Sequence, residues 1–475
     1  LIPTPRPQPD SVLLDIANYV DGYEIQSELA FVTARYCLID ALGCALEALQ
    51  FSACSKLLGP IVPGATLRNG ARVPGTQLQL NPVQAAFNIG TMIRWLDYND
   101  TWVGAEWSHP SDNLGGILAL ADWLTRSGVR QFTMRSVLIA MIKAYEIQGC
   151  LGLENAFNKV GLDHVVLVKV ASTAVLAKML GLSRDQIIDA VSLAWVDGQS
   201  LRTYRQAPNT GSRKSWAAGD ATSRGVWLAL LTNRGEMGYP SVLSTPRWGF
   251  YDVLFGGKEF RFQRPYGTFV MENILFKVSF PSEFHAQTAV EAALELHERL
   301  KQIGKGPEDI AKVTLLTQAA CLTIIDKKGA LFNPADRDHC IQYAVAIALI
   351  FGRLTAADYG DCVARDPRID ILRAKTACVE NPRFTCEYFD PEKRSVANTV
   401  IVELESGEVL ESTVEYPIGH KRRRGEALPM LEAKFKRRLA QCFSPERCQA
   451  ILDLSLDQER FEKTLVDDYL DHFVV

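Results

Sequence analysis

A mainly helical protein with a smaller α+β part is what this sequence predicts, on three observations. From Ser11 to about Phe276 the apolar residues recur at helical spacing: Leu13, Ile16, Ala17 and Val20 stand at i, i+3, i+4 and i+7, one buried face of a helix. After Pro281 the composition changes, and residues 312–317, 399–404 and 409–414 read as strands. From Leu428 to the end the helical spacing returns. A chain of 475 residues that is 47% apolar exceeds one ordinary core, so two domains are expected.

The elements follow in order. Residues 34–49 repeat the helical pattern with small residues (Ala41, Gly43, Cys44, Ala45) that let a neighbouring helix approach closely. Pro60, Pro63, Pro74 and Pro82, with Gly64, Gly70 and Gly75, mark an extended loop over the surface. An apolar helix carrying Ala85, Ala86, Ile89, Met92, Ile93 and Leu96 then runs into Asp97, Asn99, Asp100 and Thr101, and a second starts near Leu114. Ser183 with Gln186 reads as a capping box opening a helix over 184–196. In the later part, helices over 285–300 and 338–351 accompany the strands. Ser406-Gly407 turns the last two strands into a hairpin, because glycine tolerates the positive φ of a tight turn.

Composition excludes several classes of function. A net charge of −4 offers no basic surface, so nucleic acid is not an expected partner. The longest apolar run, residues 344–352, is far short of the ~20 residues of a membrane span, so no membrane is expected. The eleven cysteines are an odd number without a single CxxC. That pattern suits reduced thiols rather than disulfides or an iron–sulfur cluster, so metal-free chemistry is expected. The start, LIPTPRPQPD, lacks the apolar core of a secretory signal and is compatible with a transit peptide already removed. Nucleotide and covalent-nucleophile motifs (GxxxxGK[ST], GxGxxG after a strand, GxSxG) do not occur.

The chemistry concentrates in residues 94–116, RWLDYNDTWVGAEWSHPSDNLGG. Polar groups set between apolar helices must be hydrogen-bonded or functional, because unpaired burial costs roughly 1–3 kcal/mol each. Asp97, beside Trp95, Trp102 and Trp107, is expected to have its pKa raised by desolvation. If the helix continues, Asp97, Asp100 and Thr101 share a face; the alternative is that Asp97 only caps the helix end. His109 lies in the Ser-His-Pro-Ser-Asp-Asn turn, the strongest position for an acid–base imidazole. His164 precedes an apolar helix, where a helix start can hold it neutral or where it merely caps. Arg202, Arg205, Arg213 and Lys214 form the densest basic cluster, and guanidinium forks match carboxylates. His285 sits at the expected domain boundary, where clefts form. His339 and His420 read either as carboxylate contacts or as supports behind such contacts, and Arg423 could reach a carboxylate, although the 421–424 run also reads as a solvated stripe.

The run Leu96-Asp97-Tyr98-Asn99-Asp100-Thr101-Trp102 resembles the signature of the MmgE/PrpD family. YCLIDALGCALEAL (36–49), GPIVPG (59–64), HPSDNLGGILALADWL (109–124), VDGQSLRTYRQAPNTGSRKSWAAGDATSR (196–224) and YPIGH (416–420) are similar to its dehydratase branch. The resemblance implies a helical domain over 1–276, completed by 419–475, and an α+β lid domain over 277–418 that closes on the active site. It also implies cofactor-independent elimination of water from 2-methylcitrate to 2-methyl-cis-aconitate, in the methylcitrate cycle of propionate breakdown. The alternative on the same fold is decarboxylation of cis-aconitate to itaconate; the long, Trp-rich TWVGAEWSHP spacing favours the dehydratase. Asp97, His109, His164 and Lys214 are then the catalytic set, and Thr101, Arg205, Arg213, His285, His420 and Arg423 meet the carboxylates of a small tricarboxylate substrate. A homodimer is implied, in the mitochondrial matrix of a eukaryote or otherwise in the cytoplasm. A catalytically dead scaffold is disfavoured, because it has no reason to keep a set of desolvated titratable groups.

Overall fold

Two separate apolar cores organise the chain. The computed structural model describes residues 6–206, 208–390 and 392–475. The first core runs from Val12 to Val278 and then takes up Ala427, Leu431, Phe435 and Leu439 and continues to Phe473, so the C-terminal helices pack with the N-terminal ones. The second is built from Ala286 to Leu410 around a sheet. The protein is mainly α with a smaller α+β part, as the periodicities suggest.

The long helices of the first part are Ser11–Gly22, Glu28–Ala48, Pro82–Arg94, Leu114–Arg126, Met134–Glu154, Val165–Met179, Arg184–Val196 and Arg213–Asn233. Asn81 caps Pro82–Arg94 by accepting from the Gln84 N–H, with Pro82 in the first turn, where its missing N–H costs nothing. The Ser183/Gln186 capping box forms as expected. Glycines decide how closely these helices meet. A Cβ on Gly219 would fall 2.5 Å from the Phe87 carbonyl, and one on Gly90 would fall 2.8 Å from the Gly219 Cα. Pro82–Arg94 and Arg213–Asn233 therefore cross almost backbone to backbone, which brings Arg94 and Lys214 into one neighbourhood. Glu28–Ala48 and Met134–Glu154 are long and apolar enough to cross a membrane by composition; 89% of the most apolar stretch of each is buried in protein, and both are core helices.

The sheet has four strands in the order Thr376–Glu380, Ile310–Thr317, Asn398–Leu404, Val409–Val414. The first pair is parallel and the other two are antiparallel. The edge strand Thr376–Glu380 is absent from the sequence reading: its half-exposed Thr-Ala-Cys-Val-Glu lacks apolar alternation. The later helix begins at Ile341 rather than 338, because Cys340 is extended and the Ile341 N–H bonds the Ile325 carbonyl. That leaves Asp338 and His339 in the turn ahead of the helix. Two distant segments of the chain meet at Phe276 and Gly419, where the Phe276 N–H donates to the Gly419 carbonyl at 3.1 Å. A Cβ at Gly419 would overlap the Phe276 carbonyl at 1.6 Å, so only glycine fits this crossing. All eleven cysteines are free thiols.

Candidate active site

The Pro82–Arg94 helix stops short of the polar stretch, so Asp97, Asp100 and Thr101 do not share a helical face. Asp97 instead adopts a left-handed φ of 50°, which turns the chain sharply. Thr101 then pairs with Leu275 (N–H to carbonyl 2.8 and 3.1 Å), and Trp102 pairs with Ser108 (2.8 and 2.9 Å). The first bridge carries Lys277 to Asp97, and the second returns His109 to it. Lys434, from the C-terminal helices, locks both segments: its buried Nζ donates to the Tyr98 and Lys277 carbonyls at 2.9 Å and to Asp40 Oδ1 at 2.7 Å.

Asp97 is the hub. Arg94 Nη1 and Lys277 Nζ each lie 2.6 Å from its Oδ1, and Lys277 also reaches its carbonyl at 2.9 Å. His109 Nε2 stands 3.7 Å from Oδ1, and His339 Nε2 stands 3.8 Å from Oδ2. Burial alone would push this carboxyl up, as the tryptophan-rich sequence suggests, but Arg94 and Lys277 outweigh it and hold Asp97 well below the ordinary carboxylate range. It is ionised. The tryptophans also divide differently from the sequence reading: Trp95 lines the cleft, Trp102 is in the helical core against Phe269, and Trp107 lies under Arg202.

The contacts of His109 identify its tautomer. Nδ1 lies 2.8 Å from the Asp100 carbonyl, which can only accept, and 3.0 Å from Thr101 Oγ1. Nδ1 therefore carries the hydrogen, and the lone pair of Nε2 faces Asp97. Burial, reinforced by Arg94, keeps His109 neutral by lowering its pKa well below the usual value. The His164 ring meets it edge-on at 5.6 Å. His164 stands at the start of Val165–Met179, between Asp163 (3.4 Å) and Asp112 (3.6 Å), with neither ring nitrogen hydrogen-bonded.

The opposite wall comes from the α+β part. Lys214, in the first turn of Arg213–Asn233, donates to Asp338, to the Ala335 carbonyl (3.1 Å) and towards His339 Nδ1 (2.9 Å). Burial pulls Lys214 down to about 8 against the pull of Asp338. Beside it opens a cavity of about 290 Å³ whose walls include Trp95, Lys214, Ser215, Asp338 and Tyr359. That is close to the ~300 Å³ lower end of small-molecule sites. Among the described residues, no group of three or more His, Cys, Asp or Glu side chains is arranged to hold a metal ion.

The sequence has close relatives. The MmgE/PrpD N-terminal domain matches residues 14–263, and the MmgE/PrpD C-terminal domain matches residues 280–458. The chain belongs to the MmgE/PrpD family. It is 66% identical to 2-methylcitrate dehydratase of Cupriavidus necator and 65% identical to that of Escherichia coli K12, over 99% of this chain and 98% of each relative. It is 59% identical to the mitochondrial 2-methylcitrate dehydratase of Yarrowia lipolytica, over 99% of this chain and 91% of the relative.

Around Asp97 the structure gathers Thr101, His109, His164 and Lys214, and it sends the other expected residues elsewhere. Arg205 does not face the cleft; it clamps Asp163 with its fork, its Nη2 lying 3.1 Å from Oδ1. Arg213 points outward to Asp220 at 3.1 Å and over Trp216. His285 is enclosed by Glu283 (2.9 Å) and Tyr388 (3.2 Å). His420 caps the turn that follows it by accepting from the Arg422 N–H, and Arg423 pairs with Glu291 and Glu426. In each case a nearer acid or N–H takes the group that the sequence alone offers to a substrate. Arg94, Lys277 and Asp338 were missed. Lys277 had a signal: it is the lone charge in the apolar run Ile274-Leu275-Phe276-Lys277-Val278. A cation there must find a buried partner.

Proposed function

We propose that this chain removes water from 2-methylcitrate to form 2-methyl-cis-aconitate, as its relatives' names state for them, without a metal or cofactor. The observation that carries the proposal is the locked tautomer of His109, which leaves the lone pair of Nε2 free beside Asp97 and its buried cations Arg94 and Lys277. Elimination begins with loss of a weakly acidic C–H proton next to a carboxylate. His109 takes it on the free Nε2 lone pair, while Asp97 is engaged by Arg94 and Lys277. The negative charge of a bound tricarboxylate raises the basicity of His109 by opposing Arg94. Lys214 stabilises the charge that grows on the adjacent carboxylate, where a fixed cation in a desolvated site acts most strongly. His164, held beside His109 by Asp163 and Asp112, and Thr101, on His109 Nδ1, orient the base.

Full-length identity of 65–66% to dehydratases supports dehydration over decarboxylation. The test is direct: purified protein treated with a chelator is given 2-methylcitrate, and the ultraviolet absorbance of the conjugated product is followed, with itaconate sought from cis-aconitate in parallel. Product growth after chelation supports the reading; itaconate formation alone, or loss of activity on chelation, would overturn it.

Residues 1–276 with 419–475 form the helical domain in this reading and 277–418 the lid, which the two separate cores support. A homodimer is proposed too: Trp227, Trp248 and Leu201 are 53%, 71% and 62% exposed on the helical part. Light scattering at micromolar concentration should give about twice the chain mass of 52.7 kDa. The compartment proposed is the mitochondrial matrix for a eukaryotic source, supported by the Yarrowia lipolytica relative, and the cytoplasm otherwise.

A further inference from the structure

Lys434 lies buried in the helix Arg424–Leu439, whose Leu431 and Phe435 join the first core, and it has no part in the acid–base chemistry. Its ammonium has three hydrogens and three acceptors: Asp40 Oδ1 at 2.7 Å and the carbonyls of Tyr98 and Lys277, each at 2.9 Å. Burial alone would discharge it, but Asp40 outweighs burial and keeps the charge. The Tyr98 ring lies beneath it, with the centroid 3.6 Å from Nζ. Gly43, one turn on from Asp40, lets the helices Glu28–Ala48 and Arg424–Leu439 close this far: a Cβ there would meet Phe435 Cδ2 at 3.3 Å.

The two carbonyls set this lysine apart. One belongs to the residue after Asp97, whose left-handed φ of 50° a non-glycine residue keeps only under constraint. The other is the main chain of Lys277, whose Nζ lies 2.6 Å from Asp97 Oδ1. Lys434 therefore pins the two backbones between which the Asp97–Lys277 pair is made, and His109 Nε2 stands 3.7 Å from the same Oδ1. Its helix grips the second backbone once more, for Arg424 donates to the Glu272 carbonyl at 3.1 Å and to the Ile274 carbonyl at 2.9 Å. A lysine kept only to fasten the two helices together would need Asp40 and neither carbonyl.

We propose, on the reading that His109 draws the proton from the substrate beside Asp97, that Lys434 is a positioning residue for that step. It touches no reacting atom. By holding the Tyr98 and Lys277 carbonyls it keeps Asp97 in its left-handed turn and Lys277 on Oδ1. That fixes where Asp97 and His109 stand to one another and to the substrate. A misplacement of about 1 Å in such a site can cost ~10²-fold in rate. The C-terminal helix, more than 300 residues along the chain from His109, is in this way part of the working site.

The experiment separates the ion pair from the carbonyl contacts. Lys434→Met removes both, whereas Asp40→Asn removes only the ion pair, since even an uncharged amine keeps two hydrogens for the two carbonyls. Both variants should unfold at lower urea. On 2-methylcitrate, Lys434→Met should lose ~10-fold or more in kcat with KM within ~3-fold, while Asp40→Asn stays within ~3-fold of the parent chain in both. Hydrogen exchange read by mass spectrometry follows the same segments without substrate. Amides of 97–101 and 275–278 should exchange faster in Lys434→Met and at the parental rate in Asp40→Asn. If Lys434→Met does not fold, the same substitution is made in the Asp40→Asn background, which strands no buried charge, and is compared with Asp40→Asn. Equal losses of kcat in the two variants, an undiminished kcat without Lys434, or unchanged exchange would each overturn the assignment. A parent chain inert towards 2-methylcitrate would overturn the substrate reading, and the exchange comparison would then decide the assignment by itself.

Discussion

Replacing Lys277 with methionine removes one charge from the buried ion cluster around Asp97. Lys277 is fully buried, and its Nζ lies 2.6 Å from Asp97 Oδ1. At that separation and an effective dielectric of about 20, the gross attraction is about 6 kcal/mol. Desolvation cancels part of it, but removing one partner of a buried pair still costs roughly 3–5 kcal/mol, because the other charge stays behind. Arg94 remains on the same oxygen, which places the expected loss near the lower end. The assay is a double-mutant cycle in urea unfolding with Asp97→Asn. Lys277→Met alone should cost about 3 kcal/mol, and in the Asn background at least ~1 kcal/mol less, since no buried charge is then stranded. The variant should also shift the acid limb of kcat/KM to higher pH, because losing a cation lets the Asp97 pKa rise. An identical cost in both backgrounds would refute the hub assigned to Asp97.

Three further outcomes are expected. His109→Ala should lower kcat by ~10²-fold or more with an unchanged unfolding midpoint, and near-parental turnover would remove it as the base. If the charged Lys214 is the working form, kcat/KM should fall as pH rises through about 8. Lys214→Ala should abolish that limb and lose ~10–150-fold, the worth of one charged hydrogen bond; a limb that persists in the variant belongs to another group. Asp100 is pushed up to about 7 by burial, so the folded chain keeps a proton that the unfolded chain releases near pH ~4. Stability should therefore decline as pH rises from ~4 to ~7, and Asp100→Asn should flatten that decline in urea midpoints; parallel curves would count against it.

The helices were legible because their apolar spacing is local: the capping box at Ser183 and the periodicity from Leu13 to Val20 need no knowledge of distant residues. The hairpin 398–414 was legible for the same reason. The edge strand Thr376–Glu380 was not, since its pairing with Ile310–Thr317 is set by a partner about sixty residues away, beyond any local pattern. In the site, Asp97, His109, His164 and Lys214 could be named because their runs are rich in titratable groups. Their electrostatics could not. Burial was readable from the tryptophans around Asp97, but the sign of its shift depends on Lys277, 180 residues on, brought there by the Thr101–Leu275 bridge.

The sequence by itself determined the helical and α+β parts, the polar stretch at 94–116 and the chemical kinds of residue available, because these follow from spacing and composition. Only the tertiary structure decided which cation meets which carboxylate. Arg205 went to Asp163, Arg423 to Glu291 and Glu426, and Lys277 to Asp97. Charge pairing acts through space over a few ångströms and is indifferent to distance along the chain, so no reading of order alone could assign those partners.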